Sequence, residues 1–212
     1  MTKQEALQCV RQHKLFAIIR TATALQAEQA AQACYAGGIR LIEITWTVAG
    51  AAEALRATQR KLDDALIGAG SIVNVEMAKD ALDAGAQFIV GPNTSAEVLA
   101  LCRERDVFAC AGAMTPTEIV HAYELGSDIV KVFPAGPLGG PAYIKAVREP
   151  LPFIPLMPTG GVNLDNMLDY LRVGAVALGI GGTLIDKAAI AEGRWDVIEA
   201  KVREHVERLK LL

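Results

Sequence analysis

The chain has 212 residues (22.5 kDa), 52% of them hydrophobic, which predicts one sizeable core and a single domain spanning residues 1–212. The net charge is −3 and the charges are mixed along the chain, which argues against nucleic-acid and anionic-membrane partners and favours a small-molecule ligand. Because the N-terminus lacks a secretion signal and the apolar stretch at residues 174–185 is short and Gly-rich, we expect a cytoplasmic protein without a membrane span.

From the N-terminal amphipathic helix onwards, short apolar runs alternate with helical patterns. The apolar runs do not alternate cleanly with polar residues, as is typical of parallel strands covered on both faces. The predicted strands are residues 15–19, 39–45, 66–70, 88–91, 107–111, 129–133, 154–157 and 175–180.

Polar residues and glycines mark where the helices between these strands should begin and end. The predicted N-terminal caps are Asn74, Thr94 with Glu97, Thr115 with Pro116 and Glu118, and Asn163; the predicted stops are Gly37-Gly38, Gly85, Gly126 and Gly174. Eight strand–helix units in a chain of this length favour a (β/α)8 TIM barrel. An open doubly wound sheet is the alternative.

The isolated cysteines and histidines argue against disulfides and metal sites. Cys9, Cys34, Cys102 and Cys110 form no CxxC pair, a pattern typical of reduced cytosolic thiols. The three histidines, His13, His121 and His205, are isolated from one another in the sequence. We therefore expect no bound metal and no cofactor.

Lys131 is the most informative residue, because it interrupts the apolar run Ile129–Phe133. Burial disfavours a charged amine, and a neutral amine attacks a ketone carbon to form a Schiff base. A lysine whose stem packs on the strand while its ammonium reaches water is the structural alternative. Glu43 interrupts another predicted strand in the same way, as either an ion-pair partner or an acid/base group with a raised pKa.

Other polar and glycine residues follow predicted strands, where barrel enzymes place their sites. The glycine loops Thr159-Gly160-Gly161 and Gly181-Gly182-Thr183 come after the last two strands, and their bare N–H groups suit a phosphate or carboxylate. Arg20, at the end of the first strand, is either a contact for an anion or a surface ion-pair partner.

These segments resemble the 2-keto-3-deoxy-6-phosphogluconate and 4-hydroxy-2-oxoglutarate aldolases through nearly the whole chain. The resemblance rests on Ile18-Ile19-Arg20, Ile42-Glu43-Ile44-Thr45, Gly68-Ala69-Gly70-Ser71, Phe88 to Asn93, Gly112 to Pro116, Val130 to Ala135, Pro158 to Val162 and Gly181-Gly182-Thr183. It implies a homotrimeric class I barrel enzyme that cleaves a 2-keto-4-hydroxy acid to pyruvate and an aldehyde, without a metal.

The resemblance also implies roles for individual residues. Lys131 would form the Schiff base and Glu43 would be the acid/base. The residues implied in substrate binding are Arg20, Thr47, Ser71, Pro92, Phe133, Thr159, Gly160 and Gly161, with Gly181, Gly182 and Thr183 at a distal phosphate. Trp46-Thr47 stands where the family commonly has Leu-Arg, so a charged substrate contact is replaced by a hydroxyl.

The resemblance leaves open whether the substrate is of the phosphogluconate or the phosphogalactonate type. Two other activities also fit part of this pattern. The same lysine could decarboxylate oxaloacetate, because an imine at C2 also accepts electrons from a departing carboxylate. A barrel that isomerises or only binds a sugar phosphate would need Glu43 and an anion site but no Schiff base.

Overall fold

Eight strands form one parallel sheet with the order β7-β6-β5-β4-β3-β2-β1-β8 in the computed structural model, which describes residues 2–212. A bridge between Thr159 and Gly179 joins the two edge strands and closes the barrel. The strands are β1 (Leu15–Ile19), β2 (Leu41–Thr45), β3 (Leu66–Gly70), β4 (Phe88–Val90), β5 (Phe108–Ala113), β6 (Ile129–Val132), β7 (Leu156–Pro158) and β8 (Leu178–Ile180).

Helices precede the first strand and follow every strand. The helices are α1 (Lys3–His13), α2 (Ala24–Ala36), α3 (Ala51–Lys61), α4 (Val75–Asp83), α5 (Ala96–Glu104), α6 (Pro116–Glu124), α7 (Pro141–Arg148), α8 (Met167–Arg172), α9 (Lys187–Ala191) and α10 (Trp195–Leu209). The predicted (β/α)8 barrel is therefore confirmed, and the open sheet is wrong.

The predicted strand bounds differ from the structure by up to three residues. The sequence pattern places Ile154 and Ala175 in strands because they are apolar, yet β7 and β8 begin later in the chain. Both residues are buried in the turns that lead into these strands. An apolar residue indicates a buried position but not a strand. In this barrel, buried positions continue into the residues that precede the strands.

Two of the predicted helix caps are confirmed. Thr115 and Glu118 form a capping box at α6, and Asn74 accepts a hydrogen bond of 2.9 Å from the N–H of Met77 at α4. The glycines at the predicted stops also have the expected backbone, since Gly38, Gly85, Gly126 and Gly174 have positive φ.

The other two predicted caps are wrong. Ser95 caps α5, while the Thr94 hydroxyl donates to the Gly112 carbonyl at 3.0 Å. Asn163 accepts N–H groups within the turn before α8, which begins only at Met167. Thr94 therefore bonds to another strand and Asn163 to the turn before α8, so neither side chain caps its helix.

The lower half of the barrel lumen is a closed apolar core. Alternate residues of each strand point inwards, and α1 covers the bottom with Ala6 and Val10. The inward-facing side chains are Phe16, Leu41, Leu66, Phe88, Val90, Phe108, Cys110, Ile129, Met157 and Ala177. Polar groups on the same face must therefore lie higher, towards the carboxyl ends of the strands.

Candidate active site

Three buried polar residues lie directly above this apolar core. Glu43, Lys131 and Thr159 each follow an inward-facing apolar residue by two positions, on β2, on β6 and just after β7. The period of two in a strand therefore points all three side chains into the lumen. Their exposed fractions are 0%, 5% and 4%. The structure thus brings together residues that are far apart in the sequence.

Lys131 is buried without a neutralising partner. Its strand neighbours in register are Gly112 and Met157, which carry no charge. Within residues 2–212, no carboxylate oxygen lies within the ion-pair distance of 4.0 Å from its Nζ. Nζ lies 5.3 Å from the centroid of the Phe133 ring. The amine therefore lies in the lumen beside an aromatic ring, without a charged partner among the described residues.

Glu43 is fully buried, and both carboxyl oxygens lack a hydrogen-bond partner among the described residues. Burial raises the pKa of Glu43 above its ordinary value of 4.5, and the nearby charges of Lys131 and Arg20 oppose that rise. A buried carboxyl with free oxygens is uncommon unless it has a functional role. It is suited to hold and release a proton.

Glycines keep the space around these side chains open. A Cβ at Gly70 would overlap the Glu43 carboxyl, and a Cβ at Gly179 would overlap the Thr159 hydroxyl. The Thr159 Oγ1 is itself buried without a hydrogen-bond partner in the described part of the chain. Because Gly70 and Gly179 have no side chain, the Glu43 carboxyl and the Thr159 hydroxyl fit into the lumen.

A network of hydroxyl groups holds Arg20 at the rim of the lumen. Its Nη1 donates to Thr47 Oγ1 at 2.7 Å, and its Nη2 donates to Ser71 Oγ at 3.1 Å. The Thr47 and Thr45 hydroxyls are 2.9 Å apart. Ser71 has a φ of 61°, an uncommon conformation for a residue other than glycine. Thr47 and Ser71 thus orient the arginine, and the charge of this arginine lowers the pKa of Glu43.

The loop after β7 lies beside Phe133, the aromatic residue that follows β6. Gly160 and Gly161 have φ values of 82° and 86°, and a Cβ at Gly160 would be 3.2 Å from the Phe133 ring. Gly136 packs against Gly161 and donates to the Gly160 carbonyl at 2.7 Å. Only glycine fits these turns without strain, so the loop presents bare backbone beside the aromatic ring.

The remaining predicted residues line the same end of the barrel. The Thr183 hydroxyl donates to the Val162 carbonyl at 2.8 Å, so it joins the loops after β7 and β8. Gly181 lies beside Ile18, and the position above Gly182 is open. Pro92 lies after β4, against Gly112. Trp46, which stands beside Thr47, packs on the outer core between barrel and helices.

Several contributors to the site are missing from the sequence-based prediction. Thr45 is fully buried and follows Glu43 by two positions, a spacing that places it on the same face. Gly70 and Gly179 leave space for the Glu43 carboxyl and the Thr159 hydroxyl. A glycine near the carboxyl end of a strand is the sequence signal that could have indicated this role. Cys110 also lies in the lumen, where burial raises the pKa of its thiol.

Within residues 2–212, all four cysteines are free, and no three His, Cys, Asp or Glu side chains come together as metal ligands. Among the same residues, no helix combines the length and apolar character needed to cross a membrane. The ionisable groups of the lumen, and not a ligand cluster elsewhere, therefore define the candidate site.

Fold and site together define a barrel of the kind that carries its active site at the carboxyl ends of the strands. The family described as KDPG and KHG aldolase matches residues 7–201. The chain is 37% identical over 199 residues to the 2-dehydro-3-deoxy-phosphogluconate aldolase of Treponema pallidum, covering 92% of each chain. It is 34% identical to the KHG/KDPG aldolase of Escherichia coli, covering 85% of each.

A solved structure shows the same likeness. The KDPG aldolase from Legionella pneumophila, with pyruvate captured as a covalent carbinolamine intermediate, superposes with a TM-score of 0.85 at 27% identity. The match covers 92% of this chain and 95% of that one. The chain belongs to the KDPG and KHG aldolase family.

Proposed function

We propose that this protein is a class I aldolase that cleaves a 2-keto-3-deoxy-6-phospho sugar acid, or 4-hydroxy-2-oxoglutarate, to pyruvate and an aldehyde without a metal or cofactor. One observation carries the proposal: Lys131 and Glu43 are buried on the same lumen face, and neither forms an ion pair within the described residues. Membership of the aldolase family and the carbinolamine in the Legionella relative support it.

The reaction begins with attack of the Lys131 amine on the C2 ketone. The carbinolamine that forms loses its hydroxyl as water when Glu43, whose pKa is raised by burial, supplies a proton. The product is an iminium ion, in which the positive nitrogen can accept an electron pair from the neighbouring carbon.

Cleavage follows from this iminium ion. The Glu43 carboxylate takes the proton of the C4 hydroxyl, the C3–C4 bond breaks, and its electron pair forms an enamine. The aldehyde leaves, C3 is protonated, and water hydrolyses the imine to release pyruvate and the free lysine. One carboxyl group thus serves alternately as acid and base, because burial raises its pKa while the charges of Lys131 and Arg20 oppose that rise.

Substrate binding is assigned to the groups around this pair. Thr159, Gly160 and Gly161 would hold the pyruvyl carboxylate with one hydroxyl and bare N–H groups. Phe133 and Pro92 would contact the carbon chain. Arg20, positioned by Thr47 and Ser71, replaces the arginine that the family commonly has at position 47, and the loop Gly181-Gly182-Thr183 faces the distal end.

A substrate panel with pyruvate detection tests the activity. We expect pyruvate from the phosphorylated 2-keto-3-deoxy acid or from 4-hydroxy-2-oxoglutarate at higher initial rates than from oxaloacetate. A higher rate with oxaloacetate would instead identify a decarboxylase that uses the same lysine. Stabilisation by phosphate esters without pyruvate formation would indicate an isomerase or a binding barrel.

The proposal includes a homotrimer that acts in the cytoplasm. The family resemblance supports the trimer, and the exposed aromatic pair Tyr123 and Phe153 offers apolar surface that a subunit contact would cover. Sedimentation equilibrium should give a mass about three times 22.5 kDa. A monomeric mass at micromolar concentration would contradict the trimer but not the aldolase activity.

A further inference from the structure

Thr45 is a second polar residue of β2 that lies close to Glu43. It follows Glu43 by two positions, so both side chains point to the same face of the sheet, and it is fully buried. Burying a hydroxyl costs free energy unless it forms a hydrogen bond, and valine has nearly the same shape without that cost. A threonine at this depth therefore requires a hydrogen-bond partner.

The partner is the hydroxyl of Thr47, in the turn after β2. The Oγ1 atoms of Thr45 and Thr47 are 2.9 Å apart. The Thr45 carbonyl accepts the N–H of Val48 at 3.0 Å, and the Gly70 carbonyl accepts the N–H of Trp46 at 2.7 Å, so the backbone is held on both sides of Thr47. Thr45 is buried, whereas Thr47 is exposed. The buried hydroxyl therefore anchors an exposed one.

This contact restricts the side chain of Thr47. A threonine side chain has three staggered χ1 positions, and the hydrogen bond to Thr45 favours the one that is observed. In that position, Thr47 Oγ1 also accepts the Nη1 N–H of Arg20 at 2.7 Å. Arg20 is exposed, and fixing a long side chain costs conformational entropy. A Thr47 hydroxyl that is already held in place therefore lowers the cost of fixing the guanidinium.

The guanidinium of Arg20 acts on Glu43. The ionisable groups that face Glu43 are Arg20 after β1, Lys131 on β6 and Cys110 on β5. Burial raises the pKa of Glu43, and the charges of Lys131 and Arg20 oppose that rise. Burial also raises the pKa of the Cys110 thiol, so this thiol is uncharged at neutral pH. Among the described residues, the hydrogen-bond chain from Thr45 leads to Arg20.

We propose that Thr45 is a positioning residue for Arg20 and that it acts through the hydroxyl of Thr47. The inference rests on the proposed aldolase function and deepens it, because it names the buried contact that steadies the arginine assigned to the substrate. A pair that only stabilised the turn after β2 would affect the free energy of unfolding and leave the ionisation of Glu43 unchanged. The two roles therefore differ in a measurable property of Glu43.

The first test compares Thr45→Val with Thr45→Ser and Thr58→Val. Valine removes the hydroxyl and serine keeps it, while Thr58 is a buried threonine of α3 whose hydroxyl has no hydrogen-bond partner among the described residues. In Thr45→Val, KM for the substrate that gives pyruvate should rise about fivefold, as expected for the loss of one neutral hydrogen bond. Thr45→Ser and Thr58→Val should stay within about twofold of the wild type.

The ionisation of Glu43 separates positioning from turn stability. The 13C signal of the Glu43 carboxyl, assigned by its loss in Glu43→Gln, is followed against pH in the same proteins. With Arg20 less fixed, its charge opposes the effect of burial less, so the pKa of Glu43 should be higher in Thr45→Val than in the wild type. An unchanged pKa of Glu43 in Thr45→Val would overturn the positioning role, even where stability falls.

A Thr47→Val background tests whether Thr45 acts through Thr47. In that background, Thr45→Val should change neither KM nor the pKa of Glu43 any further, and an equal additional effect would refute the route through Thr47. Failure of the aldolase assignment is recognised separately, because borohydride would then not fix pyruvate to the wild-type protein. The pKa of Glu43 then decides alone: a rise in Thr45→Val supports the positioning role, and no change refutes it.

Discussion

At the scale of single residues, the site depends on ionisable groups that are buried and kept free of partners. Lys131 and Glu43 are recognisable from sequence because each interrupts an apolar strand, where a charge needs an explanation. The partners of Arg20 are not recognisable in this way, because Thr47 and Ser71 are 27 and 51 residues away in sequence. Contacts over such distances depend on strand register, which composition does not reveal.

Replacing Glu43 by Gln should slow pyruvate formation by about 100-fold or more, because the amide cannot transfer the protons of dehydration and cleavage. The same change should not weaken the fold. Burial raises the folded-state pKa of Glu43 above its ordinary value of 4.5. The wild type therefore loses stability as pH rises from that ordinary value to the folded-state pKa, because the buried carboxyl must then ionise.

Thermal unfolding at several pH values checks the sign of this effect. The Tm of Glu43→Gln minus that of the wild type should increase from about pH 4 to about pH 8, because only the wild type has this carboxyl to ionise. A difference that falls with pH would show that the fold stabilises Glu43 in its charged form, which is incompatible with a pKa raised by burial.

Gly70 is expected to be essential because it leaves room for the Glu43 carboxyl. Gly70→Ala should destabilise the protein by about 1–3 kcal/mol, the usual cost of overpacking. In a Glu43→Ala background the clash is gone, so the same substitution should cost much less. Denaturant unfolding of the wild type, the two single variants and the double variant measures the coupling between Gly70 and Glu43. An equal cost of Gly70→Ala in both backgrounds would refute the role of Gly70.

At the scale of helices and strands, order and type can be predicted because each unit has its own apolar period and end signals. Thr115 and Asn74 are recognisable as caps, whereas the prediction of Thr94 misses the adjacent Ser95. Both hydroxyl residues can cap a helix, and only the backbone path decides between them. Strand ends are shifted for a related reason, since turns such as that at Ala175 are as buried as strands.

The capping box of α6 gives a prediction at this scale. Thr115→Ala should lower the free energy of unfolding by about 1 kcal/mol, because the Glu118 N–H loses its acceptor. Thr117→Ala is the matched control, since Thr117 is exposed on the same turn. Urea unfolding compares the two variants, and an equal loss of stability in both would contradict the cap.

At the scale of the whole molecule, the site exists only because the barrel closes. Glu43, Lys131 and Thr159 are contributed by three separate strand–helix units, and closure between β7 and β8 brings their strands around one lumen. Eight predicted units are sufficient to infer that arrangement. The space in the lumen is not predictable from the sequence. It depends on Gly70 and Gly179, which leave room for Glu43 and Thr159, and these contacts follow from the strand register.

The proposed mechanism requires that the buried amine of Lys131 forms a Schiff base with pyruvate. Incubation with pyruvate and borohydride, followed by peptide mass spectrometry, is the decisive experiment. We expect one stable pyruvyl adduct on Lys131, with no adduct and no aldol cleavage in Lys131→Ala. An unmodified Lys131 in a preparation that cleaves substrate, or cleavage retained by Lys131→Ala, would show that the reaction proceeds by another route.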